Sequence, residues 1–153
     1  MGSETRFAPE MDVALTEARA AFARGETPVG AVVVSAGGEV LAQAGNRTRE
    51  LSDPTAHAEI LAIRAACEAA GSERLPGSVL FVTLEPCAMC AGAIAAARIA
   101  RVVYGAADPK SGGVEQGARV FEQAQSHHRP EVVGGVRETE CAGLLRDFFA
   151  IRR

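Results

Sequence analysis

Apolar positions along this chain recur at two spacings, one helical and one strand-like, and the switches between them mark out its elements. In residues 10–24, Met11, Ala14, Leu15, Ala18 and Phe22 fall on one helical stripe, and Gly25 supplies a stop. The apolar run Val29–Ser35, the turn Ala36-Gly37-Gly38 and the segment Glu39–Ala44 predict two strands joined as a hairpin. Residues 45–56 are polar, contain Asp53-Pro54 and predict a loop. From His57 to about Ala70, Ile60, Leu61, Ile63, Ala66 and Cys67 return to helical spacing, and Gly71 ends the helix. Ser78–Leu84 is a buried strand by composition and runs straight into Glu85-Pro86-Cys87. Residues 87–97 predict a small-residue helix with Pro86 near its first turn, where a missing N–H costs least. Ala100–Gly105 reads as a short strand, 106–118 as loop, 120–125 as a helical turn and Glu131–Gly135 as a weak strand. Thr139 to Phe149 closes the series as an amphipathic helix.

Strand-helix-strand units cross over right-handed onto a parallel ladder, while the hairpin adds an antiparallel pair. The expectation is therefore an α/β fold, a mixed sheet with helices on both faces, forming a single domain over residues 1–153. The 153 residues are 48% hydrophobic, enough for an ordinary core and too many for a disordered chain. No run approaches the ~18 apolar residues of a membrane span, and MGSETRF lacks the basic-then-apolar pattern of a secretory signal.

Net charge is -3, which argues against indiscriminate coating of nucleic acid. The deficit sits in residues 1–76, with 7 basic and 11 acidic side chains, whereas residues 77–153 carry 9 and 8. An anionic partner is best sought on the later half. Four cysteines, Cys67, Cys87, Cys90 and Cys141, are too sparse for a secreted disulfide framework and predict a cytoplasmic protein with metal or redox use.

Two short motifs carry chemistry: His57-Ala58-Glu59 and Pro86-Cys87-Ala88-Met89-Cys90. Each lies where a loop or strand end meets a predicted helix, and helix starts expose free N–H groups that favour thiolates. Cys87 and Cys90, three apart, share a helix face and can grip one ion. Thiolate and imidazole together select zinc over magnesium or calcium. Cys67 lies ten residues beyond His57 on one helix, roughly 15 Å along its axis, so both cannot reach one ion. Cys141 and the pair His127-His128 sit in separate elements and stay open as a fourth ligand. With only His57, Cys87 and Cys90, the fourth position is left for water, the catalytic arrangement. Glu59, two residues after a ligand, can then take a proton from that water and deliver it to a leaving nitrogen, as hydrolytic deamination requires. Singly, these motifs also fit a redox or structural Cys pair, a capping histidine and an ordinary first-turn acid. Their combination, 30 residues apart at two helix starts, is what singles out the zinc chemistry.

From about residue 8 to 152 the chain resembles the bacterial tRNA-specific adenosine deaminases of the zinc-dependent cytidine/adenosine deaminase superfamily, whose signature is known. The resemblance rests on Pro28-Val29-Gly30-Ala31-Val32, Asn46, Thr55-Ala56-His57-Ala58-Glu59, the run Val82–Ala93, Arg98-Ile99, Tyr104-Gly105-Ala106, Asp108 with Lys110, and Glu140-Cys141 before Asp147-Phe148-Phe149. It implies a three-layer α/β/α sandwich with a mixed five-stranded sheet, cytidine deaminase-like, acting as a homodimer. It implies hydrolytic deamination of adenosine to inosine at the wobble position of an arginine tRNA, with release of ammonia. His57, Cys87 and Cys90 would hold one zinc ion per subunit, and Glu59 would shuttle protons. Asn46 would hydrogen-bond the flipped base, with the backbone of Ala58 and Cys87 lining the reaction centre. Asp108, Lys110, Phe149 and Arg152 would approach the tRNA anticodon stem-loop, with Pro109 stiffening the loop between the first two.

The residues themselves lend RNA binding modest support. Lys110, Arg129, Arg146, Arg152 and Arg153 can meet phosphates of a single-stranded loop, with Phe148 or Phe149 as a stacking surface. Phe148 shares the stripe of Leu144 and Leu145 and reads as core, Phe149 fits core or surface, and His127-His128-Arg129 reads as a solvated loop or a phosphate contact. The Gly112-Gly113 and Gly134-Gly135 pairs read as turns. Two rival functions remain at this stage. One is a deaminase of free guanine, cytosine or cytidine, which shares all the metal chemistry. The other is a non-catalytic, zinc-stabilised RNA-binding module, which would have no use for Glu59.

Overall fold

The computed structural model describes residues 2–152, with side chains from Thr5 onward. Its elements are α1 (Gly2–Ala23), β1 (Gly30–Val34), β2 (Val40–Gly45), α2 (Ala58–Ala70), β3 (Val79–Leu84), α3 (Ala88–Ala96), β4 (Arg101–Ala106), a 3-10 turn (Val120–Glu122), β5 (Glu131–Val133) and α4 (Glu138–Ile151). The sheet runs β2-β1-β3-β4-β5. Its β1–β2 and β1–β3 pairings are antiparallel, and β3–β4 and β4–β5 are parallel. This is the mixed five-stranded sheet of the expected α/β fold.

Side-chain alternation along the strands divides the core into two layers. Leu80, Val82, Val102 and Tyr104 pack with Ala58, Ala62 and Ile63 of α2 and Ala91 and Ile94 of α3. Val32, Val34, Phe81 and Val103 pack with Phe7, Met11 and Leu15 of α1 and Cys141 of α4. The first layer carries the chemistry, because both α2 and α3 begin at one edge of it. In the second layer α1 presses onto the hairpin where Gly30 pairs with Gly45. A Cβ at Gly45 would lie 2.7 Å from the Glu17 carbonyl, and one at Gly30 would run into the α1 backbone at Ala14 and Ala18. These two glycines let helix and sheet touch directly.

One boundary differs from expectation. The first helix starts eight residues before residue 10 and runs through Pro9. Proline in a helix interior costs about 3 kcal/mol. Phe7, buried with its ring 5.8 Å from that of Phe81 and under the Arg101 guanidinium, offsets much of this with about 1.5–3 kcal/mol. Tertiary packing here overrides a local signal. Among the described residues no helix is long and apolar enough to cross a membrane.

Candidate metal centre and active site

His57 and Cys87 are the N-cap residues of α2 and α3, both extended, with φ/ψ of -70/153° and -73/175°. An N-cap residue leaves its side chain free to point out of the helix end, and neither side chain here bonds its own helix. Both therefore turn toward the same spot, and Cys90, one turn into α3, completes the group. His57 Nδ1 lies 3.7 Å from Cys87 Sγ and 3.5 Å from Cys90 Sγ. All three donor atoms fall within 4.8 Å of one another. Tetrahedral zinc with Zn–S of about 2.3 Å and Zn–N of about 2.0 Å requires N···S edges of about 3.6 Å. The donor set and its spacing thus fit zinc. Cys67 lies in the second half of α2, and Cys141 belongs to the opposite layer, its Sγ against Gly105. Among the described residues only His57, Cys87 and Cys90 converge in this way.

Electrostatics follow from this crowding. Hydrogen bonds from Cys90 and His57 lower the Cys87 thiol to about 3, so it is the thiolate of the pair. The same hydrogen bond to Cys87, with burial, raises Cys90. His57 is raised by its hydrogen bond to Cys87. Glu59 is 3% exposed, and burial lifts its carboxyl to about 7. Its Oε1 has no hydrogen-bond partner among the described residues. A buried carboxyl oxygen without a partner costs stability, and Glu59 lines the same cavity as His57 and Cys87.

These groups line one cavity of about 250 Å³, shared by Asn46, His57, Glu59, Cys87 and Asp108 with Val29 and Leu84 as apolar walls. Asn46 Oδ1 accepts the Ala58 N–H at 2.8 Å, which leaves the amide NH2 as the group Asn46 can offer a ligand. The Ala58 N–H is thereby spent on orienting Asn46. One wall, the loop 46–57, is held by the buried Glu26, whose carboxylate accepts the N–H groups of Arg49 (3.2 Å) and Glu50 (2.8 Å).

The remaining expected residues lie outside this cavity. Lys110 is exposed, and its N–H bonds Asp108 Oδ1 at 3.1 Å. Phe149 is 51% exposed on α4, whereas Phe148 is buried, their ring centroids 5.4 Å apart. Arg152 lies over the Phe148 ring and donates to the Gly25 carbonyl at 2.5 Å. It lines a groove with Arg24, Glu26, Arg49 and Glu50, in which Glu26 is next in the chain to Thr27 at the cavity. Arg146 is exposed, and Arg153 lies outside the described residues. His128 bonds the Ile99 carbonyl at 2.7 Å, tying its loop to the link before β4, and Arg129 bonds the Phe121 carbonyl at 2.9 Å, tying down the 3-10 turn.

Three residues have roles that the motifs do not state. Glu85 is buried and takes four backbone N–H groups from the loop 108–116. Gly112 and Gly113 are more than turn residues: Gly112 forms a bridge with Cys87, and the Gly113 N–H bonds the Pro86 carbonyl at 2.8 Å. A Cβ at Gly113 would lie 2.5 Å from the Ala88 nitrogen and 2.9 Å from the Cys87 carbonyl carbon. Gly113→Ala is therefore expected to push the loop off the Cys87 turn, at a cost of about 1–3 kcal/mol. Denaturant unfolding with zinc analysis checks this, and unchanged stability and metal content would contradict it. The only signal in the sequence was a carboxylate at the end of an apolar strand, immediately before the Pro-Cys turn.

Comparison with known proteins agrees with this geometry. The pattern of the cytidine and deoxycytidylate deaminase zinc-binding region matches residues 8–106, spanning both ligand motifs. A tRNA-specific adenosine deaminase of Agrobacterium fabrum is 58% identical over 153 residues, covering 100% of this chain and 98% of that protein. A solved structure from work on A-to-I editing by tRNA:A34 deaminases at the wobble position superposes with a TM-score of 0.88 at 59% identity, covering 90% of this chain and 99% of its own. A guanine deaminase from Nitrosomonas europaea superposes with a TM-score of 0.74 at 26% identity, covering 92% of this chain and 83% of its own. With the matched pattern running through His57, Glu59, Cys87 and Cys90, and near-complete relatives on both sequence and structure, the chain belongs to the zinc-dependent cytidine and deoxycytidylate deaminase family.

Proposed function

We propose that this protein hydrolytically deaminates adenosine to inosine at the wobble position of tRNA, an arginine tRNA in the first instance, and releases ammonia. The observation that carries the chemistry is the unpartnered Oε1 of buried Glu59, a residue that lines the same cavity as His57 and Cys87, with Cys90 converging on them from behind. The substrate assignment draws on the relatives named for tRNA, at 58% identity over the full chain. His57, Cys87 and Cys90 hold zinc, which when bound supplies the Lewis acidity that makes water a nucleophile near neutral pH.

This chain's own residues do the rest. Glu59 accepts one proton of the attacking water and delivers it to purine N1 as the C–O bond forms at C6. It then takes the proton of the new C6 hydroxyl and hands it to the amine as the C–N bond breaks, leaving the C6 carbonyl and ammonia. Asn46, held by Ala58, presents its amide NH2 to the base, and Val29 and Leu84 flank it. An anticodon loop is single stranded, so extruding its base costs little unpairing energy. Asp108 at the cavity wall, and Lys110, Phe149 and Arg152 outside it, serve the RNA through polar contacts, phosphate contacts and stacking.

The working unit in this reading is one cytoplasmic domain that pairs as a homodimer. Support for pairing is a shallow apolar groove of about 350 Å³ along α3, lined by Gly92, Ala95, Ala96 and Val120. Sedimentation analysis is expected to return twice the chain mass.

The deciding experiment is an inosine assay on an anticodon stem-loop with adenosine at the first anticodon position, beside free adenosine, cytidine and guanine. Inosine is expected in the stem-loop only. Turnover confined to a free compound would move the assignment to a small-molecule deaminase. No reaction by the zinc-loaded protein would leave a binding module.

A further inference from the structure

Glu85 is 2% exposed and stands at the end of β3, between the sheet and the metal-binding turn. Its carboxylate reaches across to a loop 23–31 residues later in the chain. Oε1 accepts the N–H of Asp108 at 3.0 Å. Oε2 accepts those of Val114 (3.2 Å), Glu115 (2.8 Å) and Gln116 (2.9 Å). A carboxylate is the one side chain that offers acceptors on both atoms, and here Oε1 takes one donor and Oε2 shares three. The far end of the loop has a second anchor, because the Glu115 carboxylate accepts the Tyr104 hydroxyl. At the Asp108 end the other ties are backbone ones: the Ala106 carbonyl accepts the Glu85 N–H at 2.8 Å and Gly112 bridges to Cys87, while the Asp108 carbonyl and carboxylate bond within the loop, to Gly112, Lys110 and Ser111. Glu85 Oε1 is thus the side-chain contact that holds the Asp108 backbone itself, at one wall of the reaction cavity, against the end of the sheet.

We propose that Glu85 is a positioning residue for the substrate: through the Asp108 N–H it fixes the cavity wall that grips the nucleotide, and so sets affinity and not the chemical step. This rests on the reading that the cavity takes an RNA base. In Glu85→Gln, an NH2 group replaces one acceptor amid four N–H donors. The amide oxygen is expected to turn to the three donors at 114–116 and leave the Asp108 N–H facing the NH2. A purely structural role would instead loosen the whole loop and the adjacent Cys87 turn.

The test uses the zinc-loaded full chain. Glu85→Gln is expected to keep its zinc, speed hydrogen exchange at the Asp108 amide by about tenfold or more, and leave the amides of 114–116 within a few-fold. KM for the stem-loop is expected to rise about tenfold with kcat within about threefold, the signature of lost binding. Glu85→Asp retains both acceptors on a shorter arm and is expected to fall between wild type and Gln on exchange and KM; it decides the matter if Gln does not fold. Unchanged exchange at Asp108, a fall in kcat with KM unmoved, or loss of zinc in both variants would overturn the proposal. A wild-type protein inactive on the stem-loop overturns the functional reading and the RNA half of this proposal, whereas the exchange pattern still judges the Glu85–Asp108 link by itself.

Discussion

Glu59→Ala is expected to leave the protein folded and zinc-loaded while lowering deamination by about 10²–10⁴-fold. The argument is one of position and isolation. Glu59 sits in the first turn of α2, two residues past a metal donor, buried and with its Oε1 unpartnered. Among the described residues it is in no ion pair, its side-chain contact being a hydrogen bond with Cys90, and an alanine there suits a helix better than a buried acid. Thermal stability should hold or rise, because burial disfavours the charged carboxyl, as its lift to about 7 registers. An acid kept at a stability cost is the pattern of a residue retained for reaction. An assay of inosine formation with parallel zinc analysis and a melting curve checks the prediction. A variant with more than a tenth of wild-type activity, or one that has shed its metal, would contradict it.

Cys90→Ala is expected to abolish both zinc retention and activity, with metal content below a tenth of wild type after dialysis. Two donors, His57 Nδ1 and Cys87 Sγ, would remain, and a half-set of that kind does not hold zinc against buffer. Cys67→Ala and Cys141→Ala should retain the full complement. Cys67 lies near the far end of α2, and Cys141 packs on the other side of the sheet beside Gly105. Zinc loss in either control would mean that the metal draws on ligands beyond the three that converge. The four variants share one metal analysis and are therefore directly comparable.

Much of this was legible because the informative patterns are local. The hairpin is announced by Ala36-Gly37-Gly38 between apolar runs, and Gly38 indeed takes φ 92° there. The ligands announce themselves because each stands at a helix start, which sequence periodicity locates to within a residue. Phe148 shares the stripe of Leu144 and is buried. What escaped depends on distant parts of the chain. Pro9 argues for a helix starting later, and only the meeting of Phe7 with Phe81 reverses it. Glu85 lies within the Val82–Ala93 run but its role does not show there, since its four donors lie in a loop whose path cannot be read from spacing. Gly113 resembles any turn glycine until the Cys87–Ala88 backbone is placed against it. His128 and Arg129 had two surface readings, and the structure uses both side chains to hold backbone carbonyls.

X-ray absorption at the zinc edge of the native protein tests the central claim most directly. Two sulfur scatterers at about 2.3 Å, with one imidazole and one further light atom at about 2.0 Å, are expected. Three or more sulfurs, or a second imidazole, would mean that Cys67, Cys141, His127 or His128 closes the site, and the catalytic reading would fall.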